Sequence, residues 1–269
     1  MATKAERRAA ARADREAREA EAAQAAGRKR RLYMLGGAVL VAAAVVAIAI
    51  AISSGGGSKP GGGGSGGTIT GASEVEAELA GIPQSGNTLG QASAPVTITE
   101  FADLQCPVCR EFNQDSLSKL IPNEVKAGKV KLIFRNLQTA THDEATFRAQ
   151  SSAALAGGKQ SKQWNYIELF YRNQGEENSG YVNGTFLTNI AKAIPGLDLT
   201  QWTQDRTAPS NGATITADAA AAQTLGFNAT PSILIKGPKF PSQAISGAAS
   251  YGDLQKAIKA VGGTTTGAT

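Results

Sequence analysis

The sequence predicts an α/β domain: a strand–helix–strand unit, then a long helical segment, then a return to β structure. The domain stands behind one N-terminal transmembrane helix. Three observations predict this. Val96–Phe101 and Val130–Leu137 are strand-like runs joined by a helix-compatible segment, which at this length makes a βαβ unit with parallel strands. About 90 residues of helical character separate Leu137 from Thr230, where β patterning resumes. Near the N-terminus, Leu32–Ile52 is a run of 21 residues without a charge.

Residues 1–31 carry ten Lys/Arg and five Asp/Glu; set against chain totals of 27 and 22, this leaves 17 of each sign for everything after Arg31. The sequence pI of about 9.2 therefore belongs to the tail. The folded part offers no electrostatic reason to bind nucleic acid. Leu32–Ile52, as a helix, spans about 31 Å at about 1.5 Å per residue, a bilayer core. Arg28-Lys29-Arg30-Arg31 precede it and no basic residue follows until Lys59, so the positive-inside rule places the tail in the cytoplasm and the remainder outside. A cleaved signal peptide competes, because Ala49-Ile50-Ala51 fits a small-x-small cleavage site and Arg30-Arg31 resembles a twin-arginine signal. The long n-region and an apolar run exceeding the usual 7–15 residues favour a retained anchor. Ser53–Gly67 holds nine Gly and four Ser among 15 residues, a flexible tether with an r.m.s. reach of about 20 Å.

The domain proper is expected over residues 68–261. Ser73-Glu74-Val75-Glu76 reads as a capping box opening a helix to about Ala80. A polar, Gly-containing stretch leads to the strand Val96–Phe101. The helix after it runs to about Lys126, with a kink or break expected at Pro122. Thr141-His142-Asp143-Glu144 reads as a second capping box, for a helix to about Ala156. Helices are also predicted over 160–173, 185–193, 199–206 and 213–225, the last capped by Gly226. Strands follow over 232–236 and near 244–246, and Ser250-Tyr251-Gly252-Asp253 opens a closing helix to about Val261. Residues 262–269 are expected to fray.

The chain has two cysteines, Cys106 and Cys109, placed between the first strand and the helix that follows. At a helix start, unpaired N–H groups stabilise a thiolate. Structural zinc usually takes four Cys/His ligands, and this chain holds two cysteines and one histidine, so no metal is expected. As a structural staple the pair is weak, since the loop it closes is tiny. A Cys–His hydrolase built on His142 leaves the second cysteine unexplained, and His142 reads as a helix-start residue. A closely spaced pair in an exported protein is better explained as a redox pair.

The stretch Ala94–Phe101 through Cys106-Pro107-Val108-Cys109 resembles the thioredoxin superfamily, and within it the exported DsbA-like thiol–disulfide oxidoreductases, whose thioredoxin-like fold carries an inserted helical subdomain, here about 138–226. Glu100 lies six residues before Cys106, as in that family, and Thr230-Pro231 precedes a late strand where the family has a cis-proline facing the cysteines. The inner dipeptide Pro107-Val108 departs from the Gly-Pro of thioredoxins and from the Pro-His of strong oxidants, which leaves oxidising power open.

The resemblance implies roles for each of these residues. Cys106 is the exposed thiol of lowered pKa that exchanges with a partner's sulfur, and Cys109 the less exposed resolving thiol. Glu100 takes the Cys109 proton, directly or through water. Pro107 and Val108 shape the active-site turn. A cis Pro231 would expose the Thr230 backbone to an extended substrate.

The function expected is therefore that of a single-pass, membrane-anchored, extracytoplasmic thiol–disulfide oxidoreductase without a cofactor. It would exchange the Cys106–Cys109 disulfide with reduced or misoxidised exported proteins, as a donor, and be reoxidised by a membrane redox partner. A reductase or isomerase, or a client-binding module without turnover, stays open at this point.

Overall fold

The computed structural model describes residues 68–266. The predicted basic tail, transmembrane span and linker (1–67) lie outside the described residues, as do residues 267–269. Among the described residues no helix is long and apolar enough to cross a membrane.

The chain opens with α1 (Ala72–Leu79), followed by a tight hairpin of two-residue strands, β1 (Gln84–Ser85) and β2 (Thr88–Leu89). Then come β3 (Val96–Ala102), α2 (Pro107–Phe112) and β4 (Val130–Asn136). The inserted helices are α3 (Glu144–Gly158), α4 (Gln163–Arg172), α5 (Gly184–Ala193), α6 (Leu199–Asp205) and α7 (Pro209–Thr224). The chain closes with β5 (Ser232–Lys236), β6 (Gln243–Ser246) and α8 (Tyr251–Ala260). The six strands form one sheet in the order β1-β2-β4-β3-β5-β6. β3 lies parallel to β4, with Val96 opposite Val130 and Ala102 opposite Asn136, and antiparallel to β5. The central strand β3 is thus buried on both edges and both faces, which is why nearly every residue in it is buried.

The βαβ unit, the helical insertion and the closing β5–β6–α8 unit agree with the sequence reading. Four local expectations do not. Ser73 is not a cap: α1 starts two residues earlier than that cap implies, at Ala72 behind Gly71 at φ 84°, and the Ser73 hydroxyl bonds Glu74 instead. Thr141 does not cap α3, because its hydroxyl donates to the buried Asp103 carboxylate at 2.6 Å; Asp143 caps the helix, accepting from Thr146 N at 2.7 Å. Pro122 does not break the helix. From Pro107 the helical run continues to Val125 through π-helical stretches at Asn113–Leu117 and Ile121–Val125. In the second, Lys126 N reaches Ile121 O at 2.9 Å, and Pro122 stands in its first turn. Finally, Gly262–Thr266 is held rather than frayed, since Thr266 N donates to the buried Glu124 carboxylate at 2.9 Å.

The insertion is fastened to the sheet by specific bonds as well as by packing. Trp164 Nε1 donates to Asn87 O at 3.1 Å and Gln84 Nε2 to Asn165 Oδ1 at 2.8 Å, which docks α4 on the hairpin. Trp202 Nε1 donates to Ala153 O at 2.9 Å and stacks on Tyr166 at a centroid distance of 6.0 Å. These aromatics bury large apolar area with their polar tips satisfied, so the insertion holds α4 in one place against the cysteine helix.

Candidate active site

Cys106 occupies the N-cap of α2, in extended geometry (φ −69°, ψ 118°), with Pro107 at the first helical position. Pro fits there because a first-turn N–H has no helical partner. The turn is tied by Cys106 N to Asp103 O at 3.0 Å and by Gln174 Nε2 to Leu104 O at 2.8 Å and Cys106 O at 3.2 Å. The Cys106 thiol lies 3.5 Å from Thr230 O, across a sequence separation of 124 residues. The Thr230–Pro231 bond is cis, and the Thr230 and Thr139 hydroxyls are hydrogen-bonded to each other.

Both cysteines carry free thiols. They are electrically unequal. The Cys109 thiol donates to Cys106 sulfur, and that bond, joined by the Thr230 side chain and by backbone N–H groups of Cys109 and Val108, outweighs burial and lowers the Cys106 pKa to about 6. Burial pushes the Cys109 thiol well up, and its bond to Cys106 and the nearby Glu100 charge act in the same direction.

One expectation is corrected here. Cys106 is not exposed: the residue is 5% accessible, because the Thr230 loop lies over its sulfur, and the exposed members of the turn are Pro107 and Val108, the latter at 43%. Cys109 is fully enclosed.

Glu100 lies on the central strand at 2% exposure, not at an outward edge. Neither carboxylate oxygen has a hydrogen-bond partner. Burial, then the charges of Glu168 and Cys106, raise its carboxyl to about 8, so at neutral pH it holds a proton. An acid in that state, whose charge is felt at Cys109, can protonate the Cys109 sulfur or, once ionised, accept its proton. His142, by contrast, contributes a backbone N–H to Asn178 Oδ1 at 2.9 Å and lines a separate pocket with Gln105 and Asn178.

Two carboxylates were missed by sequence reasoning. Asp103, three residues before Cys106 and fully buried, gathers six donors. Its Oδ1 accepts from Gln105 N (3.1 Å), Thr141 Oγ1 (2.6 Å) and Gln150 Nε2 (2.9 Å). Its Oδ2 accepts from Thr139 N (3.1 Å), Ala140 N (3.1 Å) and Thr141 N (2.8 Å). It fixes the loop between β3 and the cysteines to the loop after β4. Glu168 on α4 is buried and bonded to Asn113 Nδ2 at 2.8 Å. Its signal in the sequence is a charge at i+4 from Trp164 on an otherwise apolar helical stripe.

Comparison with known proteins agrees with this geometry. Residues 84–260 match the family model described as Thioredoxin. A probable disulfide bond formation protein D of Bacillus cereus is 28% identical over 151 residues, 56% of this chain and 69% of the relative. Disulfide bond formation protein D of Bacillus subtilis is 25% identical over 178 residues, 64% of this chain and 74% of the relative. Among solved structures, oxidised BdbD of Bacillus subtilis superposes with a TM-score of 0.57 at 23% identity, over 66% of this chain and 95% of that one. A thioredoxin-like oxidoreductase of Silicibacter pomeroyi gives 0.52 at 27% identity, over 69% and 95%.

Proposed function

The chain belongs to the thioredoxin family, as a DsbA-like thiol–disulfide oxidoreductase, and we propose that it serves as a disulfide donor to exported proteins from an anchored position outside the cytoplasm. The observation that carries the donor reading is the inequality of the two thiols. A Cys106 thiol at about 6 stabilises the reduced form at neutral pH, which makes the disulfide oxidising.

In the oxidised enzyme a substrate thiolate attacks Cys106 sulfur. A substrate–Cys106 disulfide forms, the Cys106–Cys109 bond breaks, and Cys109 leaves as a thiolate that takes the proton of Glu100. A second substrate thiolate then attacks the substrate sulfur and expels Cys106 as a stable thiolate, a good leaving group. The substrate dithiol has lost two electrons and become a disulfide, and the enzyme has gained them. Return to the disulfide form requires a two-electron acceptor, assigned here to a membrane redox partner. Extended substrate is read as lying along the Thr230–Pro231 loop beside Val108.

Support for the location comes from the charge pattern around Leu32–Ile52 and the Gly/Ser tether behind it. Retention of the protein in carbonate-washed membranes, with its domain digested by protease added to intact spheroplasts, is the expected result. Recovery of the domain only after lysis would overturn the placement.

The reaction is tested by equilibrating the domain with glutathione and by oxidising a reduced two-cysteine peptide. A potential well above −270 mV, the thioredoxin value, and loss of peptide oxidation in Cys106→Ser are expected. A value near −270 mV points to a reductase or isomerase. Undiminished client binding by Cys106→Ser, with no turnover in the wild type, points to a binding module.

A further inference from the structure

The end of the sheet opposite the cysteines carries a charge pattern that thiol exchange does not use. β3 runs from Val96 to Ala102, four residues before Cys106, so its start marks that far end. Four segments meet there, 90–96, 125–131, 236–243 and 256–263. Val96 N donates to Lys129 O at 3.3 Å, Thr97 pairs with Lys236, and Lys239 N donates to Val261 O at 2.8 Å. Together these segments hold seven lysines and no Asp or Glu, although the chain after Arg31 carries 17 residues of each sign. Lys129 lies 3.8 Å from the buried Glu124 carboxylate, Lys256 is paired with Asp253 at 3.0 Å, and Lys131 Nζ donates to Ala92 O at 2.7 Å. Lys126, Lys236, Lys239 and Lys259 are exposed and have no ion-pair partner among the described residues.

From this lysine end projects Phe240, 93% exposed, on the loop between β5 and β6. The loop is pinned at its base by the Lys239–Val261 bond and by close packing at Gly237, where an added Cβ would come within 2.5 Å of Val261 O. A single exposed apolar side chain is ordinary. A ring this exposed, on a pinned loop among unpaired lysines, is not. The other exposed large apolar side chains are Val108, beside the cysteines, and Leu225, two residues before Phe227, whose ring packs on Phe101 at 5.4 Å. Among the described residues, then, the lysine end lacks the apolar rim that surrounds an aromatic anchor in a protein interface. A lipid interface supplies that surrounding itself: the acyl boundary takes the ring, and lipid phosphates meet the ammonium groups.

We propose that Phe240 and the lysines around it form a docking surface for an anionic bilayer. The ring enters the headgroup–acyl boundary, and Lys126, Lys236, Lys239 and Lys259 face lipid phosphate. The inference rests on the anchored placement proposed above. Docked in this way, the domain holds Cys106 on the side away from the lipid, where extended clients in solution meet it. The domain begins toward the cysteine end, where Thr70 N donates to Asn173 Oδ1 at 3.0 Å and the neighbouring Gln174 bonds Cys106 O. The 15-residue tether extends to about 50 Å, against about 23 Å for the seven residues of β3, so its length permits this docking.

The test uses the full chain in vesicles of phosphatidylcholine, with and without phosphatidylglycerol, with acyl chains brominated in parallel samples. Bromine quenches a tryptophan that enters the acyl region. Phe240→Trp places one at the loop tip, and the native Trp164 and Trp202, both fully buried, give a constant background. The added emission is expected to fall by about half in anionic vesicles, to change little in phosphatidylcholine alone, and to recover as salt screens the lysines. Leu225→Trp, at the cysteine end, should stay unquenched. Adding Lys236→Glu and Lys239→Glu to Phe240→Trp should abolish the quenching. These side chains are exposed, so the substitutions leave the core intact.

No quenching in anionic vesicles overturns the proposal and leaves the loop to a protein partner. Equal quenching in both lipids, or equal quenching of Leu225→Trp, overturns it as well. Carbonate extraction of the same vesicles separates the docking surface from the anchor. A chain that is retained but unquenched at Phe240→Trp keeps the anchor and removes the docking surface. A chain that is quenched before the wash and then extracted does the reverse.

Discussion

Removing the Cys109 sulfhydryl isolates the main source of Cys106 acidity. The Cys109 thiol bond is the largest influence holding the Cys106 pKa near 6, ahead of burial, which opposes it, and of the Thr230 side chain. At pH 7 such a thiol is about nine-tenths ionised. Compared with a thiol at 9.0, its proton-binding equilibrium favours the reduced protein by a factor of about 11, or about 1.4 kcal/mol, which is about 30 mV for the two-electron couple. Cys106 is 5% exposed, so solvent screens little of this. The folded pKa lies below the unfolded one. Stabilisation of the reduced form is therefore complete above about 9, shrinks as pH falls, and is lost below about 6. The assay is thiolate absorbance at 240 nm against pH. Wild type should titrate near 6, and Cys109→Ser, which keeps a hydroxyl donor, within about half a unit of it. Cys109→Ala should titrate at least about one unit higher. Coincidence of the Ala and wild-type curves, or a wild-type midpoint near 9, refutes the reasoning.

Two further outcomes follow from the buried carboxylates. The Glu100 carboxyl is raised from 4.5 to about 8, so the folded protein binds the extra proton between those values and loses stability as pH rises through them, by up to about 1.4 kcal/mol per pH unit. In urea denaturation at pH 5 and pH 8, Glu100→Gln should lose much of that slope; a slope as steep as wild type shows that Glu100 ionises freely. Asp103→Ala strands six donors, four of them in buried bonds, and should cost about 3–5 kcal/mol, with Asp103→Asn, which keeps one acceptor oxygen, milder. A thermal or urea midpoint for Asp103→Ala within about 1 kcal/mol of wild type would show that the loop does not depend on this carboxylate.

The long periodic elements were legible because burial imposes their pattern locally. β3 and β4 read as strand-like runs, and they pair in parallel at the centre of the sheet. Gly226 read as a stop signal because its φ of 73° suits glycine. The hairpin Gln84–Leu89 was not legible, since strands of two residues carry no period. Ser73 and Thr141 matched a capping pattern, but Thr141 had a better partner in Asp103, 38 residues away, which no local rule contains.

The same distinction applies to the site. Cys106 and Cys109 announce themselves by spacing, whereas part of their surroundings comes from residues far along the chain. Thr230 arrives from 124 residues away, and Glu168 reaches Asn113 across 55. Charged residues such as Asp103 and Glu168 read by default as surface, because burying a carboxylate is unfavourable unless donors or a proton meet it. Asp103 is met by six donors; Glu100 meets none and so retains its proton. Two acidic residues three positions apart thus end in opposite states: one anchors the loop, and the other stands ready to protonate the Cys109 sulfur. The proposed proton transfer turns on that difference, and the proposed donor role on the acidity of Cys106. Neither is a property of Cys-Pro-Val-Cys alone, since both depend on the surroundings the fold builds around it.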